Sequence, residues 1–360
     1  MSVNAGNDLN GQYYNLPSIG WTKKPFNLRY RLISEVISRL IDVRRMAWPL
    51  LGFFMLLPPA VMSQEPISPL PQTMRVDPGK ARLGEKLFFD KRLSSDDSIS
   101  CASCHELKSS WGTDLRPVSV GVGGKRGNRN APTVFNSVFN FTQFWDGRAE
   151  GLADQARGPV VNPVEMGMSS WPDAVAKLES DAAYRQAFES VYGAEMTADR
   201  IVDAIAEYEK TLITPNAPFD RYLRGETDAI DAVQKRGYEL FKTYGCVACH
   251  QGQNVGGNMF QKFGVLKDIA TQPGTLANDL GRYNLTRNEW DKRVFKVPSL
   301  RLATVTPPYF HDGSVATIDQ AVGVMIQFQL GRDVPPADKA AIIAFLGSLV
   351  GELPKGVNEL

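Results

Sequence analysis

Cys101-Ala-Ser-Cys104-His105 and Cys246-Val-Ala-Cys249-His250 are two copies of Cys-x-x-Cys-His, and they use all four cysteines and two of the three histidines of the chain. The spacing has a chemical reason. Two thiols on one turn of chain can each add across a haem vinyl group, and the adjacent imidazole then falls under the iron as its proximal ligand. A zinc site built from two Cys-x-x-Cys pairs, a redox dithiol or a pair of disulfides would explain the cysteines. None of them requires a histidine directly after each second cysteine. Two covalently bound haem c groups, held by Cys101, Cys104 and His105 and by Cys246, Cys249 and His250, are the cofactors this pattern predicts.

Histidine arithmetic carries the reading further. With His105 and His250 spent, only His311 remains, so both irons cannot be bis-histidine coordinated. At least one haem must use another sixth ligand or leave that position open. An open position is where a small molecule such as peroxide can be activated, whereas two filled ones favour electron transfer.

The 360 residues are enough for two domains, and the motifs are far enough apart for one haem in each. The halves repeat. Gly84-Glu-Lys-Leu87-Phe88 precedes the first motif and Gly237-Tyr-Glu-Leu240-Phe241 the second. Thr197-Ala-Asp199-Arg200 opens a helix with Ile201, Ile205, Tyr208 and Leu212 on one face, and Pro336-Ala-Asp338-Lys339 leads into Ile342, Ile343, Leu346 and Leu349. Long loops such as Gly121 to Gly127 fill the gaps, and strand-like alternation is scarce. The expected fold is all-α, two cytochrome c-like domains with long irregular loops, much of each core being porphyrin.

The domain boundaries follow as 1–63, an N-terminal extension and signal peptide; 64–228, the first cytochrome c-like domain; and 229–360, the second. Ala47 to Met62 is an apolar run preceded by Arg44-Arg45, a secretory pattern that is short for a membrane span and broken by Pro58-Pro59. Export to the periplasm suits covalent haem attachment. The preceding 45 residues are long for a leader, so either Met46 is the true start or Arg29 to Arg45 forms a basic amphipathic helix. Pro66 to Pro71 reads as an extended linker. A net charge of +1 gives no nucleic-acid footprint.

From Cys101 to Arg332 the chain resembles the bacterial di-haem cytochrome c peroxidase family, which includes the MauG-type enzymes. The resemblance spans about two thirds of the chain. It is carried in order by the first haem motif, Arg129-Asn130-Ala131-Pro132-Thr133, Phe144-Trp145-Asp146-Gly147-Arg148, Gly158-Pro159 to Val164-Glu165-Met166, the second haem motif, Phe295-Lys-Val-Pro-Ser-Leu-Arg301, Pro308-Tyr-Phe-His311-Asp-Gly-Ser314 and Gln329-Leu-Gly-Arg332.

The resemblance implies that the N-terminal haem is the peroxide site and the C-terminal haem its electron relay. It makes Glu165 the acid–base residue, Gln155 its neighbour, Trp145 the aromatic bridge between haems and Met325 the axial ligand of the relay haem. It makes Asn130, with the backbone oxygens of Thr306 and Pro308, a calcium site. His311 matches a residue near the second haem that is not an iron ligand, although it could also be the missing axial ligand.

The chemistry is sensible for a carboxylate, which can take a proton from one peroxide oxygen and return it to the other. H2O2 would be the substrate, a small cytochrome c or cupredoxin the electron donor, and a homodimer is possible. Many members place a histidine over the peroxide haem from the loop that here reads Gly121-Val122-Gly123-Gly124. Val122 stands in its place, so the haem is expected to need no reductive activation. That vacancy is also a MauG trait, whereas Met325 stands where MauG enzymes carry tyrosine. A MauG-like oxidase of a partner protein and a non-catalytic di-haem carrier are the competing readings.

Overall fold

The computed structural model describes residues 65–269 and 279–357. The secretory run, the amphipathic alternative and both possible starts lie outside the described residues. Along the chain run α1 (Pro78–Phe89), α2 (Cys101–Cys104), α3 (Leu152–Val161), α4 (Trp171–Glu179), α5 (Ala182–Tyr192), α6 (Ala198–Glu209), α7 (Pro218–Leu223), α8 (Ala232–Thr243), α9 (Tyr283–Thr286), α10 (Ile318–Val324) and α11 (Pro336–Gly347). The expected helices form. The only sheet among the described residues is one short antiparallel pair, β1 (Phe260–Lys262) and β2 (Val294–Lys296).

Helix ends follow local chemistry. Asp77 caps α1 by accepting from the amides of Gly79 and Lys80, with Pro78 at the first helical position. Thr197 caps α6 through Arg200 N–H, and Asp231 with Gln234 forms a reciprocal capping box on α8.

The sequence repeat is a packing repeat. α1 crosses α6 where Gly84 meets Ala204, and α8 crosses α11 where Gly237 meets Ala341. A methyl group at Gly84 would lie 1.8 Å from the Ala204 carbonyl oxygen, and one at Gly237 would lie 1.9 Å from that of Ala341. Both glycines therefore serve close helix approach. Phe88 packs edge-on against Tyr208 at 5.4 Å, and Phe241 packs against Phe345 at 5.1 Å. Leu212 and Leu349 lie beyond the ends of α6 and α11 but remain buried with the faces they continue.

Two apolar cores follow from these crossings, one around α1, α4, α5 and α6, the other around α7, α8 and α11, and a smaller cluster of Phe263, Ile269, Phe295 and Phe328 lies beside Trp145 and Met325. The expected linker is not free. Ile67 is buried in the second core, next to Gly252, and Leu70 is buried as well, because two apolar side chains between prolines gain more by burial than by exposure. A fully buried ion pair fixes this segment. Arg301 holds Asp220 through two contacts of 2.8 and 3.1 Å and also donates to Ser68 O, while Leu70 N–H donates to Asp220. Conversely, Val357 near the C-terminus is buried in the first core.

Candidate functional site

The first motif forms the single turn α2, with His105 closing it by donating its amide to Cys101 O at 2.9 Å. His105 is half-buried. Its Nδ1 sits 3.0 Å from Gly112 O, which fixes that nitrogen as the proton-bearing one and leaves Nε2 as the free ligand atom. Burial holds its pKa below the ordinary histidine value, keeping the ring neutral.

Glu165 stands near this turn, its charge being felt at both Cys101 and Cys104. The carboxyl is half-buried, and desolvation raises its pKa above the usual carboxylate range. Arg148 and a 2.7 Å hydrogen bond from Asn162 Nδ2 pull it part of the way back. The backbone is fixed on both sides. Glu165 N–H donates to Asn162 O at 3.0 Å, and Glu165 O accepts from Val122 N–H at 2.8 Å. Asn162 is the C-cap of α3, and Gln155 is half-buried on that same helix, with no hydrogen bond joining its side chain to Glu165 among the described residues.

Val122 itself is buried. Its side chain packs on Gly167, where an added methyl would meet Val122 Cγ2 at 2.6 Å, and Gly121 lies against the Val164 and Glu165 carbonyls with no room for a side chain. The glycine-rich loop is thus seated on the Glu165 loop.

The second motif opens onto a cavity of about 400 Å³. Cys246, Cys249, His250, Met325, Trp145, Asn130, Thr306, Pro308 and His311 all line it, so residues scattered over nearly two hundred positions of sequence converge there. His250 repeats the logic of His105, with Nδ1 3.3 Å from Val255 O and a pKa pushed down to about 4 by burial. Met325 closes α10 and opens a π-turn over Met325–Gln329, a local widening of the helix of the kind often found at functional sites.

Trp145 is positioned from two directions. Its Nε1 donates to Asn130 O at 3.0 Å, and its carbonyl accepts from Lys296 N–H at 2.8 Å. Asn130 N–H in turn donates to His311 O, and Asn130 Nδ2 to Arg116 O at 2.9 Å. His311 is buried, stacked on Phe295 at 4.2 Å, and its Nε2 has no hydrogen-bond partner among the described residues.

These residues fit haem. All four thiols are free, each motif presents a half-buried imidazole whose Nδ1 is held at a backbone carbonyl, and the second faces a roomy, largely apolar cavity. No three or more His, Cys, Asp or Glu side chains converge as a metal site among the described residues, so the two Cys-x-x-Cys pairs do not build a shared zinc site. Arg148 and Asn162 are the site residues that the sequence reading left without a role. Arg148 sits in the quoted Phe-Trp-Asp-Gly-Arg motif and Asn162 three positions before Glu165, but only the fold brings them to the carboxyl.

The helical fold and its two Cys-x-x-Cys-His turns define a protein of the cytochrome c type. The di-haem cytochrome c peroxidase family profile matches residues 78–228. Cytochrome c peroxidase Ccp of Escherichia coli K12 is 50% identical over 287 residues, 80% of this chain, which spans 61% of that longer protein. Cytochrome c551 peroxidase of Nitrosomonas europaea is 46% identical over 293 residues, 81% of this chain and 86% of that one. A solved MauG-like protein associated with microbial copper homeostasis superposes with a TM-score of 0.67 at 27% identity, covering 85% of this chain and 96% of that one. Methylamine utilization proteins MauG match at 36% and 32% identity, below these two peroxidases. The chain belongs to the bacterial di-haem cytochrome c peroxidase family, nearer to its peroxidases than to MauG.

Proposed function

We propose that this protein reduces H2O2 to two molecules of water in the periplasm, taking two electrons from a small cytochrome c or cupredoxin and two protons from water. The observation that carries the reading is Glu165, a desolvated carboxyl near the first haem motif, held by Asn162 and opposed by Arg148. Two haem c groups, when bound, would relay the donor's electrons and supply the metal at which peroxide is cleaved.

The chain's own residues do the rest. His105 and His250, fixed through Nδ1, each offer Nε2 as a ligand, and Met325 offers its thioether sulfur at the second cavity. Glu165 takes a proton from one peroxide oxygen and returns it to the departing one; its raised pKa brings it closer to the operating pH, where a single group performs both transfers best. Trp145, held by Asn130 and Lys296, fills the cavity wall on the path from the second site. Asn130 with Thr306 O and Pro308 O forms the calcium site in this reading, and residues 64–228 and 229–360 carry its two cytochrome c-like domains, with Ile67 and α7 packed on the second core and Val357 on the first.

The Gly121–Gly124 loop carries no histidine, so it offers no ligand to block a haem held by the first motif, and no prior reduction of the second would be needed to clear one. That feature also favours a second reading, in which the reductant is a side chain of a partner protein. Steady-state peroxide turnover with reduced small cytochrome c supports the peroxidase. Stoichiometric oxidation of a partner protein without such turnover overturns it in favour of the MauG-like alternative.

A further inference from the structure

The second cavity contains a charge that the peroxidase reading does not use. Lys296 lies on β2, lines the cavity and is only 7% exposed. It makes no hydrogen bond or ion pair through its ammonium among the described residues, and burial alone pushes its pKa down to about 8. Its backbone is not free to withdraw. The amide is bonded to Trp145 O at 2.8 Å, and the residue is in register with Phe260 on β1.

The lining is one-sided in charge. Lys262, Lys296 and Arg301 contribute to it, and no aspartate or glutamate does among the described residues. Arg301 is already matched by Asp220, and Lys262 is exposed. Lys296 is thus the buried cation without a counter-charge. An unpaired buried ammonium is expensive, and a protein retains one where an anion will meet it. The group that the same cavity's Cys246, Cys249 and His250 are built to hold carries two carboxylates.

We infer that Lys296 is the ion-pair partner of a propionate of the second haem, and that it sets that haem's reduction potential. This rests on haem c occupying the cavity but not on peroxide being the substrate. A fixed positive charge beside the macrocycle favours the reduced state, since reduction removes one positive charge from the metal. Lys296 therefore makes the relay haem a better electron acceptor and adds to the effect of the Met325 thioether.

The test is a potentiometric titration of the holoprotein, after pyridine haemochrome analysis has counted two haems per chain. Lys296→Met should shift the midpoint of the low-spin haem to lower potential, Lys296→Arg should leave it near the wild type, and the other haem should not move. Resonance Raman spectra of the Met variant should show the propionate bending band displaced. An unmoved midpoint, or an equal shift in both variants, overturns the inference. If the Met variant fails to mature, a crystal structure of the wild-type holoprotein decides. Lys296 Nζ within hydrogen-bonding distance of a propionate oxygen upholds the pair, and an ammonium turned to water or a protein carbonyl overturns it. Two haems with an unpaired lysine would leave the peroxidase reading standing, whereas fewer than two would sink that reading first.

Discussion

The amide of Val122 donates to the carbonyl of Glu165 at 2.8 Å, joining the glycine-rich loop to the loop that carries the carboxyl. The segment from which a blocking histidine would come is docked at Glu165 and carries none. The first haem of the oxidised protein, as isolated, should therefore be high-spin and should react with peroxide before any electron is supplied. Electron paramagnetic resonance of the ferric protein checks this. A purely low-spin spectrum for both haems would contradict it.

Glu165→Gln keeps the shape and the Asn162 contact but cannot carry the proton. Peroxide turnover should fall by roughly 10²- to 10⁴-fold, the range for loss of a general acid–base group, with haem content and the second haem's spectrum unchanged. The pH profile gives a second check. Peroxide activation needs the ionised carboxylate, so the wild type should lose activity as pH falls through a pKa raised by desolvation, and the Gln variant should lack that limb. Arg148→Gln removes a charge that favours the ionised form, so it should move the limb to higher pH.

Met325→Leu fills the same space without sulfur. If the thioether ligates the second haem, this variant should alter that haem's spin state and lower its potential, while peroxide binding at the first is retained. An unchanged spectrum would return His311 to consideration as the axial ligand.

Glu209 is buried on α6 with Oε2 unpartnered among the described residues, and burial raises its pKa to about 8. In the unfolded chain it titrates near the ordinary glutamate value of about 4.5. The folded state therefore binds the proton more tightly. This stabilisation is complete below pH 4.5 and is lost as pH rises towards 8, by on the order of 1 kcal/mol per pH unit. Glu209→Gln should flatten that slope and raise the melting temperature on the alkaline side. Thermal denaturation of the holoprotein between pH 5 and 9 measures it.

Much of this was legible in sequence because it rests on local spacing. The haem turns need five consecutive residues each, and the repeated Gly-x-x-Leu-Phe marks the same helix crossing twice. What was hidden depends on contacts between distant segments. Nothing local distinguishes Lys296 from a solvated strand lysine, and its burial follows from β1, Trp145 and the cavity. Ile67 and Leu70 looked like a linker because prolines surround them, yet Asp220 and Arg301, more than 140 positions away, anchor that stretch. The π-turn at Met325 has no sequence signal of its own, since its residues are ordinary helix formers.

The glycine crossings give the most direct test of the repeat. At Gly84 a methyl group would lie 1.8 Å from Ala204 O and 2.9 Å from Tyr208 Cβ, and at Gly237 the clashes are with Ala341 O and Phe345 Cβ at nearly the same distances. The nearest obstructing atoms are backbone, so a whole helix must move. On an exposed helix Gly→Ala would stabilise by up to about 1 kcal/mol through propensity; here overpacking should reverse the sign and destabilise by about 1–3 kcal/mol. Gly84→Ala should disturb the first haem and Gly237→Ala the second, because each crossing precedes its own Cys-x-x-Cys-His turn. Denaturant melts read at each haem's absorbance separate the two. Equal effects on both haems from either variant would mean that the cores unfold as one unit rather than as two repeats.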